Sequence, residues 1–198
     1  MTPVILASSS AIRARLLREA GLTFGVRPAH VDEEELKESL LVEGATPEDV
    51  AVALAEVKAV RVSGAAGDAL VIGADQVLVL DGVLVDKCQD LTEARDLLAR
   101  LRGRRHSLVS ACAIARSGAV IWRTREAAQM HMRAFSDAFL DDYIKQEGRL
   151  LLSCVGCYQL ERRGAQLFDR IDGDTFTVLG LPLLPLLDAL REHKAMPS

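Results

Sequence analysis

Few side chains in this sequence have chemistry beyond packing: a Ser/Arg turn at positions 8 to 13 containing Ser8 and Arg13, an acidic run Asp32-Glu33-Glu34-Glu35, Lys58, Asp75 and Lys87. Hydroxyls and cations grip polyanions, and a positioned carboxylate moves protons. Asp75 is the most demanding of them. It interrupts the apolar run 70–80, where an unpaired carboxylate is costly to bury, so it needs a cation, a metal or a cleft. The Ser8-Ser9-Ser10 turn exposes backbone N–H groups at the positive end of a helix dipole, a ready site for phosphate. Turns of this kind are more often simple caps. A helical Lys such as Lys58 usually faces solvent. Type and spacing alone therefore leave the function open.

Common alternatives are absent as strings: no G-x-x-x-x-G-K-[ST], no G-x-G-x-x-G and no G-x-S-x-G occurs. Cys154-Val155-Gly156-Cys157 fits C-x-x-C, but Cys88 and Cys112 stand singly, so buried thiols beside a turn glycine are expected rather than zinc or redox work. The chain has 198 residues, 49% apolar and 26% charged, enough for one domain over 1–198 or two lobes sharing a core. With 24 Lys+Arg against 28 Asp+Glu the formal charge is −4, and aromatics are only one Trp, two Tyr and five Phe. That balance argues against a nucleic-acid polymer as partner. No uncharged stretch approaches the roughly 18 residues of a membrane span, and the N-terminal apolar run is too short for a signal peptide. No membrane association and a cytoplasmic location are expected.

These residues must be positioned by regular elements. The pattern predicts a strand at 4–7, then a helix capped by Ser9 or Ser10 and stopped by Gly21. Asp32–Glu35 reads as the solvated first turn of a second helix. Thr46-Pro47 starts a third, with Val50, Leu54, Val57 and Val62 on its core face and Lys58 beside them. The strand at 70–80 is expected to break at Gly73-Ala74-Asp75, followed by a hairpin at Asp81-Gly82 that delivers Asp86-Lys87. Thr92 reads as the cap of the next helix, and strands are expected at 107–115, 120–123 and onward through 130–132. Ser136 caps another helix, Tyr158–Leu160 reads as a strand and 164–171 as a hairpin. A terminal helix begins at Leu181-Pro182-Leu183. Hairpin connections imply an α/β fold with a mixed sheet rather than a chain of βαβ units.

At these residues the chain resembles the Maf family of nucleoside triphosphate pyrophosphatases. Leu6-Ala7-Ser8-Ser9-Ser10-Ala11-Ile12-Arg13 is similar to its opening Ser/Arg motif, Val31-Asp32-Glu33 to its V-[DE]-E segment, and Leu54-Ala55-Glu56-Val57-Lys58-Ala59 to its L-A-x-x-K-A helix. Ile72-Gly73-Ala74-Asp75-Gln76-Val77 resembles the G-[AS]-D block, Lys87 the lysine after the hairpin, and Gly103-Arg104-Arg105-His106 the G-[RK]-x-H turn. Ile171-Asp172-Gly173-Asp174 and Gly180-Leu181-Pro182-Leu183 resemble the closing blocks. The ordered set spans 5 to about 190, nearly the whole chain.

The resemblance implies an α/β fold with a mixed, elongated β-sheet and flanking helices, two lobes around a central cleft, often as a homodimer. It implies hydrolysis of a nucleoside triphosphate to the monophosphate and pyrophosphate with a divalent cation, Mg²⁺ or Mn²⁺. Asp75 would be the proton acceptor, Ser8, Arg13, Lys58 and Lys87 would hold the triphosphate, and Glu33 with Asp75 would bind metal. Departures concern Ala11-Ile12 where the family has Pro-Arg, Asp86-Lys87-Cys88 where it has Gly-Lys-Pro, and Ser153–Arg162, where the Asp and Lys of the dTTP/UTP-directed block are missing and Glu161 replaces its Gln. That version, with Gln76 after Asp75, is similar to the branch acting on 7-methyl-GTP. An ionised Glu161 only accepts hydrogen bonds and suits the N–H donors of a cationic methylated guanine, with a surface bridge from Glu161 to Arg162 or Arg163 as the alternative. Pyrimidine-directed hydrolysis, or a weakly catalytic nucleotide-binding regulator of septum formation, stands as an alternative.

Overall fold

A computed structural model describes residues 1–197. After β1 (Val4–Leu6), Ser10 caps α1 (Ala11–Glu19) by accepting from the Arg13 N–H at 3.4 Å. A two-residue strand β2 (Gly25–Val26), not anticipated, pairs with β1. Asp32 caps α2 (Glu33–Val42), and Thr46 caps α3 (Pro47–Ser63) in a reciprocal box with Asp49.

Two expectations about α3 are corrected. Lys58 is buried, while Val57 is 37% exposed. The buried positions Val50, Leu54, Lys58 and Val62 recur every four residues, so helical geometry puts the lysine on the inner face.

The expected break at Gly73-Ala74-Asp75 does not occur: β3 runs uninterrupted over Leu70–Leu80. It lies between β1 and the strand over 105–116, and pairing on both sides outweighs the poor strand propensity of those three residues. Asp81 and Gly82, both at positive φ, turn β3 into antiparallel β4 (Val83–Val85), the hairpin expected. The cap of α4 (Leu91–Leu101) is Asp90, not Thr92. Its carboxylate accepts from the Thr92 and Glu93 N–H groups at 2.8 and 2.9 Å, and an anion there also complements the helix dipole.

Strands β5 (Arg105–Arg116) and β6 (Ala119–Met132) meet at the Ser117-Gly118 turn and are longer than expected. Ser136 caps α5 (Asp137–Glu147). Tyr158–Leu160 is not a strand, and in place of a hairpin over 164–171 stand a 3₁₀ turn (Arg163–Leu167) and β7 (Phe168–Asp172), which pairs antiparallel with β6. The Tyr158 carbonyl accepts from the Cys154 thiol at 3.1 Å and the Gln159 carbonyl from the Arg162 N–H at 3.1 Å. Local bonds thus take acceptors that a ladder would use. A short α6 (Thr175–Val178) precedes the terminal helix α7 (Leu183–Glu192).

The seven strands form one mixed sheet in the order β2-β1-β3-β5-β6-β7, with β4 on β3 and helices flanking it. Contacts divide the described residues into two compact units. The first comprises Met1–Gln76, Val109–Glu126 and the chain from Thr175; the second comprises Val77–Leu108 and Ala127–Asp174. The first unit's core gathers Leu6, Leu17, Leu70, Ile72, Ile114 and Leu186, all fully or nearly fully buried. The second buries Leu78, Leu98, Leu101, Met130, Leu140 and Leu167. No helix among the described residues is long and apolar enough to cross a membrane.

Candidate active site

Within the first unit the fold brings five of the expected residues together, and the place where β3 meets α3 sets the geometry. Gly73 is what allows that meeting. A Cβ at Gly73 would lie 2.1 Å from the Ala55 carbonyl oxygen and 2.6 Å from the Ala59 nitrogen, so only glycine permits the helix this close. Asp75 is two residues farther along the strand and so shares the face of Gly73, while Lys58 lies between Ala55 and Ala59 on the helix. The lysine Nζ therefore reaches Asp75 Oδ1 at 2.6 Å and, on its other side, Glu33 Oε1 at 2.9 Å. Asp75 is 7% exposed, as is Lys58, whereas the Glu33 side chain is 46% exposed. Asp75 thus has the cation its burial demands.

The Ser/Arg turn contributes the other edge. Ser8 is buried, and its Oγ accepts from the Ser10 N–H at 3.2 Å and from Arg13 Nη1 at 3.3 Å. Arg13 also donates through Nη1 to the Ala74 carbonyl at 2.9 Å and through Nε to the Gly180 carbonyl at 2.8 Å. Enclosure pushes the Arg13 guanidinium down from its ordinary value, and the neighbouring charges of Asp75 and Glu33 oppose that. An arginine stays protonated under such pressure. Its carbonyl bonds tie α1 to the residue before Asp75, so Arg13 positions β3 as well as supplying charge.

Gln76 points away from Asp75 on the strand. Its Nε2 donates to the Ser110 Oγ at 3.1 Å and to the Thr177 and Val178 carbonyls at 3.1 and 3.0 Å. Ser110 Oγ in turn donates to the Thr177 carbonyl at 2.7 Å. Sequence reasoning missed this network and the Gly180 carbonyl on Arg13. The available signal was Gly180 just ahead of Leu181-Pro182; in the structure it sits at φ +93°.

Lys87 and Glu161, the two remaining expected residues, belong to the second unit, and both are exposed. Lys87 lies just after β4 on a cavity of about 340 Å³, with Asp86, Cys88, Glu93 and Arg100 among its walls. Burial raises the Cys154 thiol above its ordinary value; the charges of Lys87 and Glu161 act on it in opposite directions. Both residues are thus within electrostatic reach of Cys154. Arg162 bridges to Glu147 and Arg163 to Asp142. The four cysteines are free thiols.

A buried carboxylate held by an ammonium, with a second carboxylate, a guanidinium and a hydroxyl nearby, has the groups to take a proton from water and to bind phosphate oxygens. The family model described as Maf-like protein matches residues 3–193. A Caulobacter vibrioides protein named nucleoside triphosphate pyrophosphatase is 54% identical over 99% of this chain and 98% of its own. A Rhizobium meliloti protein named 7-methyl-GTP pyrophosphatase is 50% identical over 98% of each. Among solved structures, a HAM1 protein from Coxiella burnetii aligns over 67% of this chain and 73% of its own at 16% identity, with a TM-score of 0.44.

Proposed function

The chain belongs to the Maf family, and on that premise we propose that it hydrolyses a nucleoside triphosphate to the monophosphate and pyrophosphate, with 7-methyl-GTP as preferred substrate. It is an enzyme, a hydrolase acting on an acid anhydride. The observation that carries this reading is the Glu33–Lys58–Asp75 arrangement, in which one buried ammonium holds two carboxylates.

Asp75 takes a proton from the attacking water, whose oxygen bonds to phosphorus as the bond to the departing pyrophosphate breaks. Its fixed place in an inner strand keeps the base from drifting. Ser8, Arg13 and Lys58 bind phosphate oxygens and stabilise the charge that develops on them, and Lys87 adds a further cation. Arg13 and Lys58 are balanced by Glu33 and Asp75, so these four side chains are formally neutral. Glu33 and Asp75 offer hard oxygen donors, the chemistry that Mg²⁺ or Mn²⁺ prefers, and such ions are commonly held by one or two carboxylates plus substrate phosphates. A divalent ion there would supply neutralising charge for the polyphosphate.

The 7-methyl-GTP preference rests on Glu161 in place of the pyrimidine branch's Gln, on Gln76 after Asp75, and on a relative of that name at 50% identity. A pyrophosphate-release assay over a nucleotide panel with Mg²⁺ or Mn²⁺ tests the whole reading. Wild type should turn over 7-methyl-GTP ahead of UTP, and Asp75→Asn should lose at least about a hundredfold in kcat. No turnover of any triphosphate would remove the enzyme reading, and UTP ahead of 7-methyl-GTP would remove the substrate assignment.

A further inference from the structure

The segment that carries Glu161 has neither strand nor α-helix to hold it, yet it is tied on both sides of that residue by polar bonds to buried side chains. Three residues before Glu161, Tyr158 is 6% exposed and its hydroxyl lies 2.7 Å from His106 Nε2. His106 is 2% exposed, and its Nδ1 has no hydrogen-bond partner among the described residues. The Tyr158 hydroxyl is therefore the imidazole's one hydrogen bond there. The Tyr158 ring meets Phe168 of β7 edge-on at 4.8 Å. The Tyr143 hydroxyl donates to the Cys157 carbonyl at 3.3 Å, fixing the backbone just before it.

One residue after Glu161, Arg162 Nε donates to Glu147 Oε2 at 3.3 Å. The Glu147 side chain is only 5% exposed, so this is a carboxylate taken out of water and matched by one guanidinium. Just past the second tie the chain has doubled back on the first: a Cβ on Gly164 would lie 2.5 Å from the Gln159 carbonyl oxygen.

Neither pair is a strong source of stability: apolar residues of the same volume commonly replace a buried polar pair without loss, and the Arg162 side chain of the other pair is 50% exposed. What they provide is position. We infer that His106–Tyr158 and Glu147–Arg162 are positioning contacts that fix Glu161 and thereby set discrimination between nucleobases. The inference rests on the substrate reading above and adds residues to it. All four lie in the second unit, whereas Ser8, Arg13, Glu33, Lys58 and Asp75 lie in the first. Loosening the anchors should therefore alter base preference while leaving the hydrolytic step intact.

The test compares Tyr158→Phe and Glu147→Gln with Glu161→Gln in the full chain, measuring kcat and KM for 7-methyl-GTP, GTP and UTP. Each anchor variant loses a hydrogen bond without leaving an unpaired buried charge on Glu147. Loss of one such bond's worth of positioning should raise the KM for 7-methyl-GTP about fivefold and narrow its ratio to the KM for UTP, with kcat within about twofold of wild type. If Tyr158→Phe fails to fold, Glu147→Gln decides the question. Anchor variants with the wild-type KM ratio, or with kcat reduced equally on all three nucleotides, overturn the inference. Should Glu161→Gln shift the ratio while the anchor variants do not, the substrate reading stands and the inference falls. Should the anchor variants shift the ratio in an enzyme whose wild type prefers UTP, the inference stands and the 7-methyl-GTP reading falls.

Discussion

Lys58 bears the most concentrated demand of any single residue, since one ammonium serves a buried carboxylate at 2.6 Å and a half-exposed one at 2.9 Å. The two bridges should differ greatly in worth. Lys58→Met leaves Asp75 buried without its cation, and breaking a buried pair from one side costs about 3 kcal/mol or more. Glu33→Gln removes a partly solvated bridge worth under about 1 kcal/mol. Urea denaturation should rank the two variants in that order, and equal losses would mean that Asp75 is held by something other than Lys58. Asp75's need for a cation is legible in the sequence, because a carboxylate in an apolar run has few ways to persist. The partner's identity is harder to read, as it lies 17 residues away on another element. Even so, Lys58 stands one turn beyond Leu54 and one turn before Val62, and that spacing places it on the buried face. The usual habit of helical lysines outweighs that spacing in a reading by residue type.

At the scale of elements, the contact between α3 and β3 depends on one missing side chain. Gly73→Ala puts a methyl group against backbone atoms of Ala55 and Ala59, which cannot rotate aside. The helix must retreat, at a cost of about 1–3 kcal/mol for overpacking, and it takes Lys58 with it. Both stability and pyrophosphate release should fall together in that variant. Full activity in a destabilised protein would separate the packing from the site. Helix starts are well marked in the sequence where a hydroxyl meets a free N–H, as at Ser10, Thr46 and Ser136. The Asp90 cap is obscured by Thr92 close behind it. The two strand errors have opposite causes: at Gly73–Asp75 neighbouring strands impose a conformation that the residues do not favour, and at Tyr158–Leu160 local side-chain bonds divert residues that favour it.

For the whole molecule, a formal charge of −4 governs solubility and nonspecific association, while a single bound anion responds to the local field, such as that around Arg13 and Lys58. Global stability should carry the mark of a buried histidine. Burial lowers His106 to about 4, whereas the unfolded chain titrates near its ordinary 6.5. Between those values the unfolded state binds the extra proton, so stability is full above the unfolded value and declines as pH falls toward the folded one. The decline from about pH 7 to about pH 5 should be about 2 kcal/mol, and His106→Gln should flatten it. An equally steep profile in that variant would assign the acid sensitivity elsewhere. The division into two units has a further consequence. The chain passes between them four times, three of those passages lying inside β3, β5 and β6. Neither unit is a contiguous stretch that could be expressed, deleted or exchanged with a relative as one cassette. Grafting another member's second unit onto this scaffold would mean transplanting 77–108 and 127–174 together, with every splice but the last made in the middle of a strand.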